Sequence, residues 1–196
     1  SSTWRLNPKV SGISCCVGYI CTHAFNMVEL VAGSNVKKIL SHLNNLYDDN
    51  PMDVDANILI QLENGANGTI RSSQIATGEE NNLRISIYGD KGGLKWEQEN
   101  PNYLYHLSDN EPMRVLKTAH PYNYDISNIS TKIPPGHPEG IFDSMGNIYN
   151  GVARAIKKQK FDSVEFPSID EGVRGMDFIE KAVKSHQSGN IWMNLD

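Results

Sequence analysis

Apolar and polar residues alternate along 54–63, with Val54, Ala56, Ile58, Ile60 and Leu62 set against Asp55, Asn57, Gln61 and Glu63. A period of two marks a strand with one buried face. Asn64-Gly65 follows as a hairpin turn pair, and 68–75 supplies the returning strand. Leu83, Ile85 and Ile87 alternate in the same way with Arg84, Ser86 and Tyr88, before Gly89-Asp90-Lys91-Gly92-Gly93 turns the chain into Leu94-Lys95-Trp96-Glu97. Shorter strands are predicted over 103–107 and 113–116, and 36–46 opens the strand region. Turn signals at these intervals describe an antiparallel meander.

Around the meander the period changes. Residues 19–31 are strongly apolar and close at Gly33, which predicts a mostly buried helix with a glycine just past its end. The first eighteen residues, broken by Pro8, Gly12 and Gly18, read as irregular chain. Residues 117–137 show no periodicity and contain Pro121, Pro134 and Pro135; a loop of this length often lines a site or forms a lid. A helix is predicted from Pro138 onward, with Ile141, Phe142, Met145, Ile148, Tyr149, Val152 and Ile156 on one stripe. Ser168 and Glu171 have the spacing of a capping box for a last helix, whose buried face is predicted to be Val173, Met176, Ile179 and Val183, ending at Gly189.

One helix, a meander and two helices imply an α+β fold: an open, largely antiparallel sheet with helices packed on one face, in a single domain over 1–196. Leu59 falls on the opposite alternation phase from the main apolar set, so a second copy covering that face, a homo-oligomer, is expected.

Composition narrows the picture. The chain of 196 residues has 18 basic and 23 acidic side chains, a formal charge of −5, and no clustered basic face for nucleic acid. No apolar run approaches the roughly 20 residues of a membrane span, so no membrane partner is expected, and Ser1-Ser2-Thr3-Trp4-Arg5 is not a secretory signal. Cys15, Cys16 and Cys21 form neither an even disulfide set nor a zinc motif. They read as small buried side chains in a reducing, cytoplasmic protein.

Candidate chemistry gathers in Gly18-Tyr19-Ile20-Cys21-Thr22-His23-Ala24-Phe25-Asn26. On a helix, Tyr19, His23 and Asn26 share one face at i, i+4 and i+7. Three hydrogen-bonding groups on an apolar helix need partners or a polar cavity, since each buried unpaired group costs about 1–3 kcal/mol. An imidazole there either accepts the proton of a substrate hydroxyl or is a core histidine satisfied by a carbonyl. His137, in Pro134-Pro135-Gly136-His137-Pro138-Glu139-Gly140, stands where the long loop meets a helix start, as a substrate contact or part of a capping turn. Arg5 binds either a polar substrate or a surface carboxylate. His42, His106, His120 and His186 are scattered and form no metal-ligand spacing, so no metal is expected. Gly89-Asp90-Lys91-Gly92-Gly93 lies between two strands rather than before a helix, and no dinucleotide-binding glycine fingerprint occurs elsewhere.

These residues resemble the C-terminal domain of the glucose–fructose oxidoreductase/inositol dehydrogenase (Gfo/Idh/MocA) family. The matching pieces are Trp4-Arg5-Leu6-Asn7-Pro8-Lys9, the Gly18 to Asn26 segment, Glu63-Asn64-Gly65-Ala66, Ser73-Gln74, Gly78-Glu79-Glu80-Asn81-Asn82, Tyr88-Gly89-Asp90-Lys91-Gly92-Gly93-Leu94-Lys95-Trp96, Gly136-His137-Pro138-Glu139-Gly140 and Glu171-Gly172-Val173-Arg174-Gly175-Met176. The resemblance implies a dihydrodipicolinate-reductase-like sheet domain, with NAD or NADP bound mainly by an N-terminal Rossmann domain upstream of this chain. It implies oxidation or reduction of a sugar, polyol or related alcohol, and an oligomer built through the open sheet face. This chain alone is then expected to be inactive. The family's aspartate–histidine pair falls on Tyr19 and His23, so His23 and Tyr19 are the expected catalytic positions, with Thr22, Asn26, His137 and Arg5 as substrate contacts. A tyrosine in place of the aspartate brings two other readings into play: a non-catalytic ligand-binding or assembly descendant, and an NAD-dependent glycoside hydrolase.

Overall fold

The computed structural model describes residues 3–45, 51–159 and 165–195. The fold is α+β, with antiparallel sheets and helices, and it divides into two compact units: Ser1–Gly78 with Ser168–Asp196, and Glu79–Pro167. The 46 end of the first predicted strand lies outside the described residues.

In the first unit, β1 (Val36–Asn44), β2 (Asp55–Leu62), β3 (Asn67–Ser73) and the two-residue β8 (Met193–Asn194) form a sheet in the order β3-β2-β1-β8, antiparallel throughout. The period-two reading of 54–63 is realised on β2: Ala56, Ile58, Ile60 and Leu62 are buried, while Asn57 and Leu59 are exposed. Gly65 takes a positive φ of 90° in the β2–β3 turn, as the Asn-Gly pair requires.

Two helices cover the buried face, α2 (Thr22–Ala32) and α5 (Ile169–Gln187). Phe25 of α2 stacks on Phe178 of α5 with ring centroids 4.3 Å apart. Both join Val17, Ile39, Ile58 and Ile70 in one core. Gly33 ends α2 in the left-handed conformation, as its position predicts. At the start of α5, Ser168 Oγ accepts from Glu171 N at 3.2 Å and Glu171 Oε2 accepts from Ser168 N at 2.6 Å, which completes the predicted capping box.

The buried stripe of α5 matches the predicted one at Ile179 and Val183 and departs from it at Val173 and Met176. Phe178, Ile179, Ala182, Val183 and Ser185 are buried, whereas Val173 and Met176 are exposed. The stripe is set by 174, 178, 182 and 185, because Phe178 meets Phe25 and Ser185 reaches the sheet. Beyond the short β8, the N–H of Ser41 donates to Ser185 Oγ at 2.9 Å and that of Leu43 to His186 Nδ1 at 3.3 Å. Helix side chains thereby satisfy strand donors that β8 is too short to reach.

The second unit holds a meander of β4 (Arg84–Gly89), β5 (Gly92–Glu97), β6 (Tyr103–Leu107) and β7 (Arg114–Lys117), adjacent in sequence order. Gly89 to Gly93 is the β4–β5 turn. A Cβ on Gly92 would sit 2.2 Å from the carbonyl oxygen of Leu107, so strand contact and a φ of 137° both demand glycine. The unit also contains α3 (Asp125–Ser130) and α4 (Ile141–Ile156).

Several expectations are corrected. The supposedly irregular start contains a 3-10 turn (Thr3–Leu6) and α1 (Pro8–Ser11), capped by Asn7 Oδ1 accepting from Lys9 N. The 117–137 loop is interrupted by α3. The next helix begins at Ile141, where Gly140 N donates to Asp143 Oδ2 at 2.8 Å, rather than at Pro138. On α4, Phe142, Tyr149 and Ile156 are exposed. Among the described residues, no helix is long and apolar enough to cross a membrane.

Candidate functional site

The segment that carries Tyr19 and His23 does not begin as an ordinary helix. A π-helical turn (Val17–Cys21) runs directly into α2. Such turns recur at functional sites because they re-aim side chains within a helix. Its exposed N–H groups are met by a residue far away in sequence. Asp53, buried, accepts from Cys15 N and Val17 N at 2.8 Å each, and its own carbonyl accepts from Cys16 N at 3.1 Å. A carboxylate at a helix N-terminus also suits the positive end of the helix dipole.

Beneath the turn lie the three cysteines, all buried and all free thiols. Cys16 Sγ and Cys21 Sγ lie 3.1 and 2.6 Å from Ser72 Oγ on β3, and Cys15 Sγ donates to Gln74 Oε1 at 3.4 Å. Burial, partly offset by the Ser72 hydrogen bond, pushes the Cys16 and Cys21 thiols from the usual 9.0 up to about 12. They are packing groups, as the sequence suggests, and they fix the inner side of the turn.

The outer side carries the candidate residues. The helix is not mostly buried, as the apolar composition of 19–31 suggests: within α2 Phe25 is the buried residue, and His23 is exposed. Phe25 stacks on Phe178, while Ala24, Val28 and Ala32 pack only partly buried against the core. His23 is therefore not a core histidine, and among the described residues its ring makes no hydrogen bond. One turn before it, Tyr19 is 53% exposed. Its hydroxyl accepts a hydrogen bond from Arg5 Nη2 at 3.1 Å. The guanidinium of Arg5 also stacks against both neighbouring rings, 4.3 Å from the Tyr19 centroid and 5.1 Å from that of Trp4. The structure thus brings Arg5 and Tyr19 together across fourteen residues of sequence, and sets His23 one turn further along the same segment.

Thr22 and Asn26 are half-buried on α2; the Thr22 hydroxyl donates back to Gly18 O at 3.5 Å. His137 belongs to the second unit, exposed, with Nδ1 3.3 Å from Pro134 O in the turn before α4. That turn is pinned by Asn102, whose Nδ2 donates to Glu139 O at 2.8 Å and whose Oδ1 accepts from Glu139 N at 3.0 Å. An open depression of about 340 Å³ nearby in sequence is lined by His120, Asn128, Lys132 and Pro134 among others, and does not include His137. Asp53 and Asn102 are the residues that sequence reasoning missed. Each acts on backbone at least 36 positions away, for which no local pattern gives a signal.

The chain is similar to several known proteins. Residues 1–95 match the model of the GFO/IDH/MocA C-terminal domain. Over 98% of its length the chain is 31% identical to the uncharacterized oxidoreductase YfiI of Bacillus subtilis (strain 168), covering 51% of that protein. An oxidoreductase from Sinorhizobium meliloti superposes with a TM-score of 0.86 at 36% identity, over 91% of this chain and 51% of the other. An inositol dehydrogenase homolog from Azotobacter vinelandii, complexed with NAD+, gives 0.84 at 25% identity over 98% of this chain and 52% of the other. The chain spans about half the length of the curated relative it matches.

Proposed function

Because this chain belongs to the GFO/IDH/MocA oxidoreductase family, we propose that it is the substrate-binding part of an NAD(P)-dependent enzyme that oxidises or reduces a sugar, polyol or related alcohol. The observation that carries the reading is an imidazole, His23, held in the open on the first turn of α2 with no hydrogen bond to its ring among the described residues. A solvent-facing imidazole is free to take the proton of a substrate hydroxyl, or to return it in the reverse direction, near neutral pH. Tyr19 and Arg5 then fix the substrate beside it, and Thr22 and Asn26 line the same helix.

The described residues build no dinucleotide cradle, since the glycine-rich 89–93 segment is a hairpin turn. We assign the nicotinamide to a Rossmann domain upstream, in the half of the relatives that this chain does not span; when bound, that group accepts or supplies the hydride. The inositol dehydrogenase homolog of A. vinelandii is complexed with NAD+, which supports the use of a nicotinamide cofactor. The open face of the first sheet is proposed as the surface of a homo-oligomer. Three unpaired thiols fit a cytoplasmic protein.

The test is turnover by the intact protein with NAD and NADP across a panel of sugars and polyols. His23→Gln is expected to lower kcat at least ~100-fold, in the range of general acid–base catalysis, with nucleotide affinity unchanged. Absence of turnover across the panel, or an undiminished kcat in H23Q, would overturn the assignment.

A further inference from the structure

The Arg5–Tyr19 pair has a polarity that a carboxylate at position 19 would not have. A carboxylate is an acceptor only, and it holds a ligand by taking hydrogen bonds from hydroxyl groups. Here the Tyr19 oxygen already accepts from Arg5, so its single O–H is left to donate. The guanidinium is likewise donor only. One N–H goes to Tyr19, and its Nε–H is covered and makes no hydrogen bond, so the terminal nitrogens carry the remaining donors. Arg5 also has no acidic partner among the described residues, although the chain has 23 acidic side chains against 18 basic ones. Two aromatic rings cradle its charge, and both stay about half exposed, Trp4 at 53% and Tyr19 at 53%. An open surface that offers only donors and one unmatched positive charge is complementary to an anionic oxygen.

We propose that Arg5 and Tyr19 bind a carboxylate, so that the substrate class is a polyhydroxy acid, an aldonate or uronate type of sugar acid, rather than a neutral polyol. A carboxylate is favoured over a phosphate because one guanidinium edge and one phenol O–H match its two coplanar oxygens, whereas a phosphate presents three oxygens and further charge. This deepens the reading of His23 as the group that handles the substrate hydroxyl, and rests on it for the location of the site.

The experiment measures binding without turnover, by calorimetric titration of the intact protein saturated with NADH, using D-gluconate, D-glucitol and D-glucose 6-phosphate. Gluconate is expected to bind at least tenfold more tightly than glucitol, which shares its carbon skeleton but lacks the charge. Arg5→Gln should abolish that ratio and Arg5→Lys should keep most of it, while Tyr19→Phe should reduce it severalfold with Arg5 still in place. Agreement of R5K with the wild type separates loss of charge from loss of fold. Equal affinities for gluconate and glucitol, a ratio that survives R5Q, or glucose 6-phosphate binding as tightly as gluconate would each overturn the proposal. If the gluconate preference holds while H23Q leaves kcat intact, the role of His23 fails and the carboxylate site stands.

Discussion

At the scale of single residues, the π-turn has two chemically opposite sides. Outward lie Tyr19 and His23, both exposed; inward lie Cys16 and Cys21, fully buried and sharing one hydroxyl, that of Ser72. Because burial raises these thiols to about 12 from 9.0, the folded protein keeps both protons at a pH where the unfolded chain has lost them. The unfolded state binds fewer protons between pH 9 and 12, so stability falls across that window, by about 1 kcal/mol or more per pH unit for the two thiols together. Below pH 9 the two thiols contribute no pH dependence. Urea midpoints at pH 8, 9 and 10 test this: the wild type is expected to lose stability steeply above pH 9, and a Cys16→Ala, Cys21→Ala double variant to lose it less steeply. Parallel slopes for the two proteins would refute the assignment. Of this residue-level picture, the sequence shows the burial of small cysteines and the spacing of Tyr19 and His23. The Arg5–Tyr19 bond is invisible in it, because residues fourteen apart meet only after a 3-10 turn, a short helix and a π-turn have folded the chain back.

Among elements, legibility follows locality. Strand β2 and its hairpin are written in alternation and an Asn-Gly pair, and the capping box of α5 in Ser168 and Glu171, because each depends on neighbours within a few positions. On α5 periodicity finds Ile179 and Val183 on the buried face but wrongly adds the exposed Val173 and Met176, because apolar spacing alone cannot weigh a long-range polar contact. Arg174 decides it. Its Nη2 donates to Glu29 Oε1 of α2 at 2.6 Å and to Val36 O of β1 at 3.1 Å, its Nε donates to Glu29 Oε2 at 3.2 Å, and Glu29 Oε1 also accepts from Val36 N at 2.7 Å. One ion pair therefore ties two helices and the first strand, and its hydrogen bonds hold the guanidinium above its usual range. Removing one partner strands the other charge in a half-buried position, where single losses cost more than the pair is worth. Arg174→Met is expected to destabilise by about 2–3 kcal/mol, and Arg174→Met with Glu29→Met by less than the sum of the single changes. Additive losses in denaturant unfolding would show that the two residues act separately.

For the whole molecule, the remaining question is what the outer face of the first sheet is for. Register places Leu40 of β1, Leu59 of β2 and Thr69 of β3 in one row across it, with Leu59 46% exposed, between a row of His42, Asn57 and Arg71 and a row of Lys38, Gln61 and Asn67. An apolar central row flanked by polar ones is the pattern of an interface core with a hydrated rim. On a two-fold axis such a row meets its own copy, so a single substitution acts twice in each interface. We therefore expect the intact protein to sediment as an oligomer at micromolar concentration and Leu59→Arg to shift it to a smaller species. The Arg5–Tyr19 pair lies on the other side of the fold from this row, at the turn leading into α2, so carbohydrate-acid binding in L59R should remain. A wild-type monomer, or an L59R protein that sediments unchanged, removes the open face as the assembly surface. In either case the face would have to be explained as an ordinary solvated side of an antiparallel sheet, which polar flanking rows alone also permit.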